Sequence, residues 1–242
     1  MSNKPKASYG VDAPGVIRNL FIGAAACFII SVFFPILKIG KLSIDVSWLF
    51  WSGLYLFLPG FLMLIYSLFG KYKHRDRMLN MISWRGDEQV LDVGTGKGLL
   101  MIGAAKRLDR GKSTGIDIWN AEDLTGNNVG NAIKNAEIEG VKDKVDIKNE
   151  NATKMSFADS SFDIILSNLC LHNIYNKEGR VSACTEIARV LKNGGTGLIS
   201  DFRHTGEYKD NFERLGLQAT LLTANYLTTF PALRILMIKK PL

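Results

Sequence analysis

Cysteine is scarce in this chain. There are three, Cys27, Cys170 and Cys184, in 242 residues. Their number and spacing exclude a disulfide framework and a close-spaced metal cluster, and point to a reducing, cytosol-facing setting. There is no internal repeat and no low-complexity tract. Charge is missing altogether from two long stretches, Leu20–Leu37 and Val46–Phe69. Each reaches about the ~20 residues that carry a helix across a bilayer. A core hairpin of a soluble protein rarely excludes charge for so long. A cleaved signal peptide would have a shorter apolar region and a small-residue cleavage site after Leu37, and would not be followed by a second span. The two runs therefore predict a transmembrane helical hairpin, with Lys38–Asp45 as a short polar turn between them. Pro59-Gly60 falls inside the second span as a candidate kink, and Trp48, Trp51 and Tyr66 sit near span ends, as interfacial aromatics do.

The charges that are present set an orientation. Lys4, Lys6 and Arg18 precede the first span, and Lys71, Lys73, Arg75 and Arg77 follow the second. The connecting turn has Lys38 and Lys41 against Asp45. The positive-inside rule places both termini and the C-terminal domain in the cytoplasm. The net charge of +7 clusters at this junction and reads as attraction to anionic headgroups. No nucleic-acid motif accompanies it, so no nucleic-acid partner is expected.

The chemistry begins at Val90–Gly98, VLDVGTGKG. An apolar strand runs into a glycine turn and then a helix over about 97–109. Gly94, Gly96 and Gly98 remove side chains where a ligand approaches the backbone, and the helix aims its first N–H groups at the same space. The spacing counts against two common ligand loops. A dinucleotide fingerprint needs its third glycine at position 99, which is Leu. A phosphate loop ending at Gly111-Lys112-Ser113 needs its first glycine at position 106, which is Lys. A second short strand, Ser113–Asp117, ends in an acid 23 residues after Gly94. That is near the spacing at which a carboxylate accepts from ribose hydroxyls.

Past Lys73 strand and helix patterns alternate, which predicts a parallel α/β sheet. Strands are expected near 89–93, 113–117, 144–148, 162–167 and 195–201, and helices near 76–83, 97–109, 128–139 and 177–192. A helix at 207–215 and strands at 219–223 and 233–239 close the chain.

These motifs resemble the class I S-adenosylmethionine-dependent methyltransferases, over roughly Arg75–Pro241. VLDVGTGKG is similar to their first motif and GID at 115–117 to their second-strand acid. NENATKMSF at 149–157 is similar to the segment after the third strand. FDIILSNLCLHNI at 162–174 is similar to the fourth strand and its loop, and EIARVLKNGGTGLISD at 186–201 to the last helix and fifth strand. GIDIWNAEDLTGNN at 115–128, SNLCLHNI and the ending TTFPALRILMIKKP resemble a bacterial group with a hydrophobic hairpin in front.

The resemblance implies a Rossmann-like sheet with helices on both faces and S-adenosyl-L-methionine as cofactor. It implies a donor site of Asp92, Gly94, Thr95, Gly96, Gly98, Asp117, Ile118, Trp119, Asn151, Ala152 and Asn168. Asn151 stands where the family often has Asp for the adenine amino group, and would accept through its carbonyl. Ile118 takes the place of an apolar contact to adenine; Trp119 is either a shield for the ring or a packing residue. His172, in the loop after the fourth strand, is the first choice for a base or acceptor-orienting group, or else packs locally. Asp201 and His204 follow the fifth strand at the same edge. Cys170 reads as a buried thiol, and Asn127 and Asn128 as helix caps.

The domain plan is a tail at 1–18, a hairpin at 19–70 and a methyltransferase domain at 71–242. The expected activity is methyl transfer to a small hydrophobic acceptor, such as a quinone precursor, a membrane lipid or a thiol, with no resident metal. The alternatives are a membrane-bound nucleotide-binding module without catalysis and a nicotinamide-dependent oxidoreductase.

Overall fold

The computed structural model of the protein describes residues 5–242. Lys4, one of the charges read for orientation, lies outside them. Helix α1 (Pro14–Phe33) starts with proline at its first position, where no N–H is needed. It packs antiparallel on α2 (Leu49–Ile65). The two helices approach closely at glycines: a Cβ on Gly53 would meet the Phe28 ring at 2.8 Å, and one on Gly60 would meet Phe21 at 3.2 Å. Phe21–Phe57 and Phe28–Phe50 pairs fill the rest of the seam. The residues expected as a plain turn are a β-hairpin instead, β1 (Ile36–Ile39) paired with β2 (Leu42–Asp45) around Gly40, which adopts φ +64°. Helix α1 and the continuous helix Leu49–Leu79 that α2 begins are long and apolar enough to cross a membrane, and 17% and 28% of their most apolar windows is buried.

No linker follows α2. The helix passes through a π-turn at Tyr66–Gly70 straight into α3 (Lys71–Leu79), so the helix expected at 76–83 starts earlier and continues the second apolar helix. His74 on α3 places Nε2 2.6 Å from Ser200 Oγ of the sheet, and Met78 and Leu79 are fully buried.

The domain beyond is built on β3 (Gln89–Val93), β4 (Lys112–Asp117), β5 (Val145–Asn149), β6 (Phe162–Asn168), β7 (Leu191–Asp201), β8 (Gln218–Leu221) and β9 (Arg234–Lys239). Their order is β5-β4-β3-β6-β7-β9-β8. The first five are parallel, and β9 runs antiparallel between β7 and β8. Central strands such as β3 are buried on both faces, so their apolar residues run on without alternation. Helices α4 (Leu99–Ala105), α5 (Val129–Ile138), α6 (Lys177–Val190) and α7 (Thr205–Arg214) cover the sheet. The helix expected over 97–109 is thus shorter at both ends, because Gly98 holds φ +86° and the chain turns after Lys106. Asn128 and Asn176 cap α5 and α6, accepting from the N–H groups of Asn131 and Gly179.

Within the segment read as a tail, residues 7–13 pack on the domain and residues 14–18 begin α1. Ala7 and Tyr9 are buried in a cluster with Met101, Ile102 and Ala105 of α4 and Ala136 of α5. Asp12 forms a β-bridge with Leu124, and the Ala13 N–H donates to the Asp123 carbonyl. Lys71, 3% exposed, donates to the carbonyls of Tyr9 (2.8 Å) and Gly10 (2.6 Å) and to Asp12 Oδ2 (3.2 Å). The Ser67 hydroxyl donates to Asp12 Oδ2 (2.9 Å) and accepts from the Asp12 N–H (3.0 Å). A Lys71→Met variant leaves three acceptors, the buried Tyr9 carbonyl among them, without their cation. We expect it to lose about 3 kcal/mol of stability, and limited proteolysis should find cleavage within residues 5–13 that the parent chain resists.

Candidate active site

The five parallel strands deliver their following loops to one edge of the sheet. β3 is the switch point, since the chain winds outward to β4 and β5 on one side and to β6 and β7 on the other. Crevices for ligands open at such points. A cavity of about 1250 Å³ lies here. It exceeds the roughly 300–1,000 Å³ of a pocket for one small ligand, and gives room for two reactants side by side.

The glycine turn at its floor is held from several directions. Gly94 adopts φ +73°, and a Cβ there would meet Cys170 Sγ at 2.3 Å. The loop after β6 therefore packs where a side chain would stand. Gly96, at φ +54°, donates its N–H to Asp117 Oδ2 at 2.8 Å. Asp117 Oδ1 accepts from the Trp119 N–H at 2.7 Å. Turn and acid, 21 residues apart, are thus one unit. Asp92 lies beneath them, 1% exposed, and accepts on Oδ2 from the Thr95 hydroxyl (2.8 Å) and the Met101 N–H (2.9 Å). Burial pushes its carboxyl up to about 7, against these two hydrogen bonds.

Of the residues expected to hold the donor, Asp92, Gly94, Thr95, Gly96, Asp117, Ile118, Asn151, Ala152 and Asn168 border the cavity. Gly98 does not; it serves the helix start through its positive φ. Trp119 also stands off the cavity wall, with its indole N–H buried and unpartnered, so the ring-shield reading has no geometric support. Asn151 turns its carbonyl to its own loop, accepting from the Thr153 N–H and hydroxyl at 2.9 Å each. It is engaged there and not held ready for an adenine amino group. Asn127, read as a cap, is instead buried against the cavity, donating to the Asn120 carbonyl at 3.0 Å. Asn128 alone does the capping. Only its place beside Asn128 marked Asn127 in the sequence, and that signal pointed to the wrong role.

On the acceptor side, Asp201 is fully buried and accepts from the N–H groups of His172 (3.1 Å) and Phe202 (2.8 Å). His172 Nδ1 lies 2.9 Å from Asp201 Oδ1, off the line of a hydrogen bond, and its ring meets Phe202 edge-on at 4.7 Å. His172 borders the cavity and Asp201 stands behind it, so Asp201 is a positioning residue. His204 is separate. It precedes α7 with Nδ1 3.6 Å from Glu207, and does not reach the cavity. Burial and the carboxylates of Asp117 and Asp201 push the Cys170 thiol well up, which keeps it a packing group. No sequence signal marked the other wall of the cavity: Tyr9 and Asp12 from the N-terminal segment, and Met63, Tyr66 and Ser67 from the second apolar helix.

A nucleoside-bearing donor suits this floor. Asn127 Oδ1 and Asn168 Oδ1 are buried without partners and both border the cavity, ready for hydroxyl or amino hydrogens. Exposed Ile118 offers an apolar surface beside Asp117. No cluster of three metal-ligating side chains occurs among the described residues.

Residues 91–199 match the family described as "Methyltransferase domain". A demethylmenaquinone methyltransferase of Bacteroides fragilis is 33% identical over 125 residues, 52% of this chain and 47% of that protein. A sterol 4-C-methyltransferase of Caenorhabditis elegans is 37% identical over 125 residues, 51% of this chain and 34% of that one. The chain spans about half the length of the curated relatives it matches first. A crystal structure of a SAM-dependent methyltransferase from Aquifex aeolicus superposes with a TM-score of 0.54 at 18% identity, over 68% of this chain and 88% of that one. That likeness is one of fold. Residues 91–199 thus match a methyltransferase domain, and the sheet around them shares the fold of a SAM-dependent methyltransferase.

Asp92 makes stability depend on pH. The native carboxyl keeps its proton to about pH 7, whereas an unfolded chain releases it near 3.8. The contribution of the neutral form is complete below the lower value and is lost as pH rises towards the upper one. Asp92→Asn, which never ionises, should gain on the parent by roughly 1 kcal/mol per pH unit between pH 5 and 7 and then level off. Unfolding curves across that range would reveal the slope, or its absence.

Proposed function

We propose that this protein is a membrane-anchored methyltransferase that uses S-adenosyl-L-methionine to modify a small hydrophobic acceptor, with isoprenoid quinols as the leading class. The observation that carries this reading is the continuity of the cavity. It runs from the glycine turn and Asp117 to the inner ends of two exposed apolar helices. The relatives named for demethylmenaquinone and sterol methylation, matched over 47% and 34% of their own lengths, support a lipid-like acceptor over a water-soluble one. Other membrane lipids and hydrophobic thiols share this chemistry and follow in order. Residues 7–13 pack on the catalytic domain, so they lie on the same side of the bilayer as that domain. With the basic residues at the junction, that supports both termini facing the cytoplasm.

S-adenosyl-L-methionine supplies a methyl group already activated on a sulfonium. The chain's own work is therefore alignment, exclusion of water and management of one proton. Asp117 and the Gly94–Gly96 turn hold the nucleoside end. Asn168 and Asp92 face the donor's amino-acid end. His172 orients the acceptor's nucleophilic atom or takes its proton, and Asp201 fixes the loop that carries the imidazole.

Calorimetry should show binding of S-adenosyl-L-methionine and its demethylated product with comparable affinity, and poor binding of NAD; the opposite preference would sink the cofactor assignment. Asp117→Ala should weaken donor affinity at least tenfold. His172→Ala should lower turnover by about 10²-fold or more with donor affinity within twofold, and a variant with full turnover would leave His172 a packing residue. The acceptor itself is identified by supplying methyl-labelled donor to membranes with and without the protein and isolating the labelled product.

A further inference from the structure

The apolar helices do more than border the cavity; they end in a buried polar group inside it. Tyr66 is 4% exposed, and its hydroxyl lies within hydrogen-bonding reach of the Asn168 side-chain amide. Asn168 Oδ1 has no partner of its own. Paired with each other, the two groups still leave a hydrogen-bonding position open in a buried wall, which is costly unless a third group completes it. Tyr66 also opens the π-turn, the one place where the long helix departs from α geometry. Such single turns recur at functional sites.

This wall is held firmly. A Cβ on Gly70 would meet the Thr228 carbonyl at 2.4 Å, so the β8–β9 loop presses directly on the helix backbone. On the opposite side Ser67 and Lys71 grip Asp12. Tyr66 is therefore fixed relative to the glycine turn. Outward from Tyr66 the cavity is bordered by Val16 of α1 and Met63 of α2, and beyond them the helix surfaces are exposed and apolar.

We propose that the helical hairpin forms half of the acceptor site. Tyr66 Oη, with the Asn168 amide, binds the carbonyl or hydroxyl of a ring dissolved in the membrane, and the gap between Val16 and Met63 passes its hydrocarbon tail into the bilayer. The assignment rests on the methyltransferase reading above. It makes Tyr66 an acceptor-binding residue and Met63 a selector for tailed acceptors.

The test uses the full chain in phospholipid nanodiscs, with two probes kept reduced: a 1,4-naphthoquinol with a polyprenyl tail and the same ring without one. Tyr66→Phe should raise KM for both probes about tenfold, with kcat and donor affinity within twofold. Met63→Trp should raise KM for the tailed probe alone. A Tyr66→Phe enzyme with unchanged KM, or a Met63→Trp enzyme that handicaps both rings equally, would overturn the assignment and leave the enzyme class intact. Parent protein that binds the donor but neither binds nor methylates the tailed ring would overturn the quinol class and this site with it.

Discussion

A single buried ammonium group holds the three parts of this molecule in register. Lys71 sits where the second apolar helix enters the domain, and it gathers the Tyr9 and Gly10 carbonyls and the Asp12 carboxylate around one charge. Taking that charge out of water is expensive, and only a full set of acceptors repays it. The N-terminal segment therefore must lie across the domain, and the helix must end where it does. The position of Tyr66, the roof of the donor cavity and the loop from Ile118 to Asn128 all follow from this arrangement.

The donor floor shows a second economy of the same kind. Groups that border the cavity also hold its loops. Asp117 staples Gly96, and Asp92 staples Thr95 and the start of α4; behind the acceptor side, Asp201 staples the loop that carries His172. A substitution at Asp117 therefore reports on loop geometry as well as on ligand contact, and one at Asp201 on the loop alone.

These facts explain what was legible in the sequence. The sheet strands and the glycine turn followed from local rules: apolar runs, glycine spacing and an acid at a strand end. Those signals are written in consecutive residues. The role of residues 7–13 was not legible, because SYGVDA carries no pattern and its place depends on a lysine some sixty residues later. Asn127 failed for a related reason. Two adjacent asparagines before a helix look equivalent, and only the backbone turn at Gly126 decides which one caps and which one points inward. The helix expected at 76–83 was started too late because a π-turn leaves no mark in composition: YSLFG reads equally well as the end of a span.

The unbroken helix from Leu49 to Leu79 has a mechanical meaning. Its 31 residues make a rod of roughly 46 Å at 1.5 Å per residue, against about 30 Å of hydrocarbon in a bilayer. A flexible tether would let the domain tumble above the lipid. A stiff rod gripped on both sides acts as a depth gauge. Tyr66 lies about 26 Å along it. Under the proposed membrane anchoring, that is the level where ring headgroups of amphiphiles rest and their tails begin, and the rod would set a fixed height for the reaction and select amphiphiles by how deep each one sits.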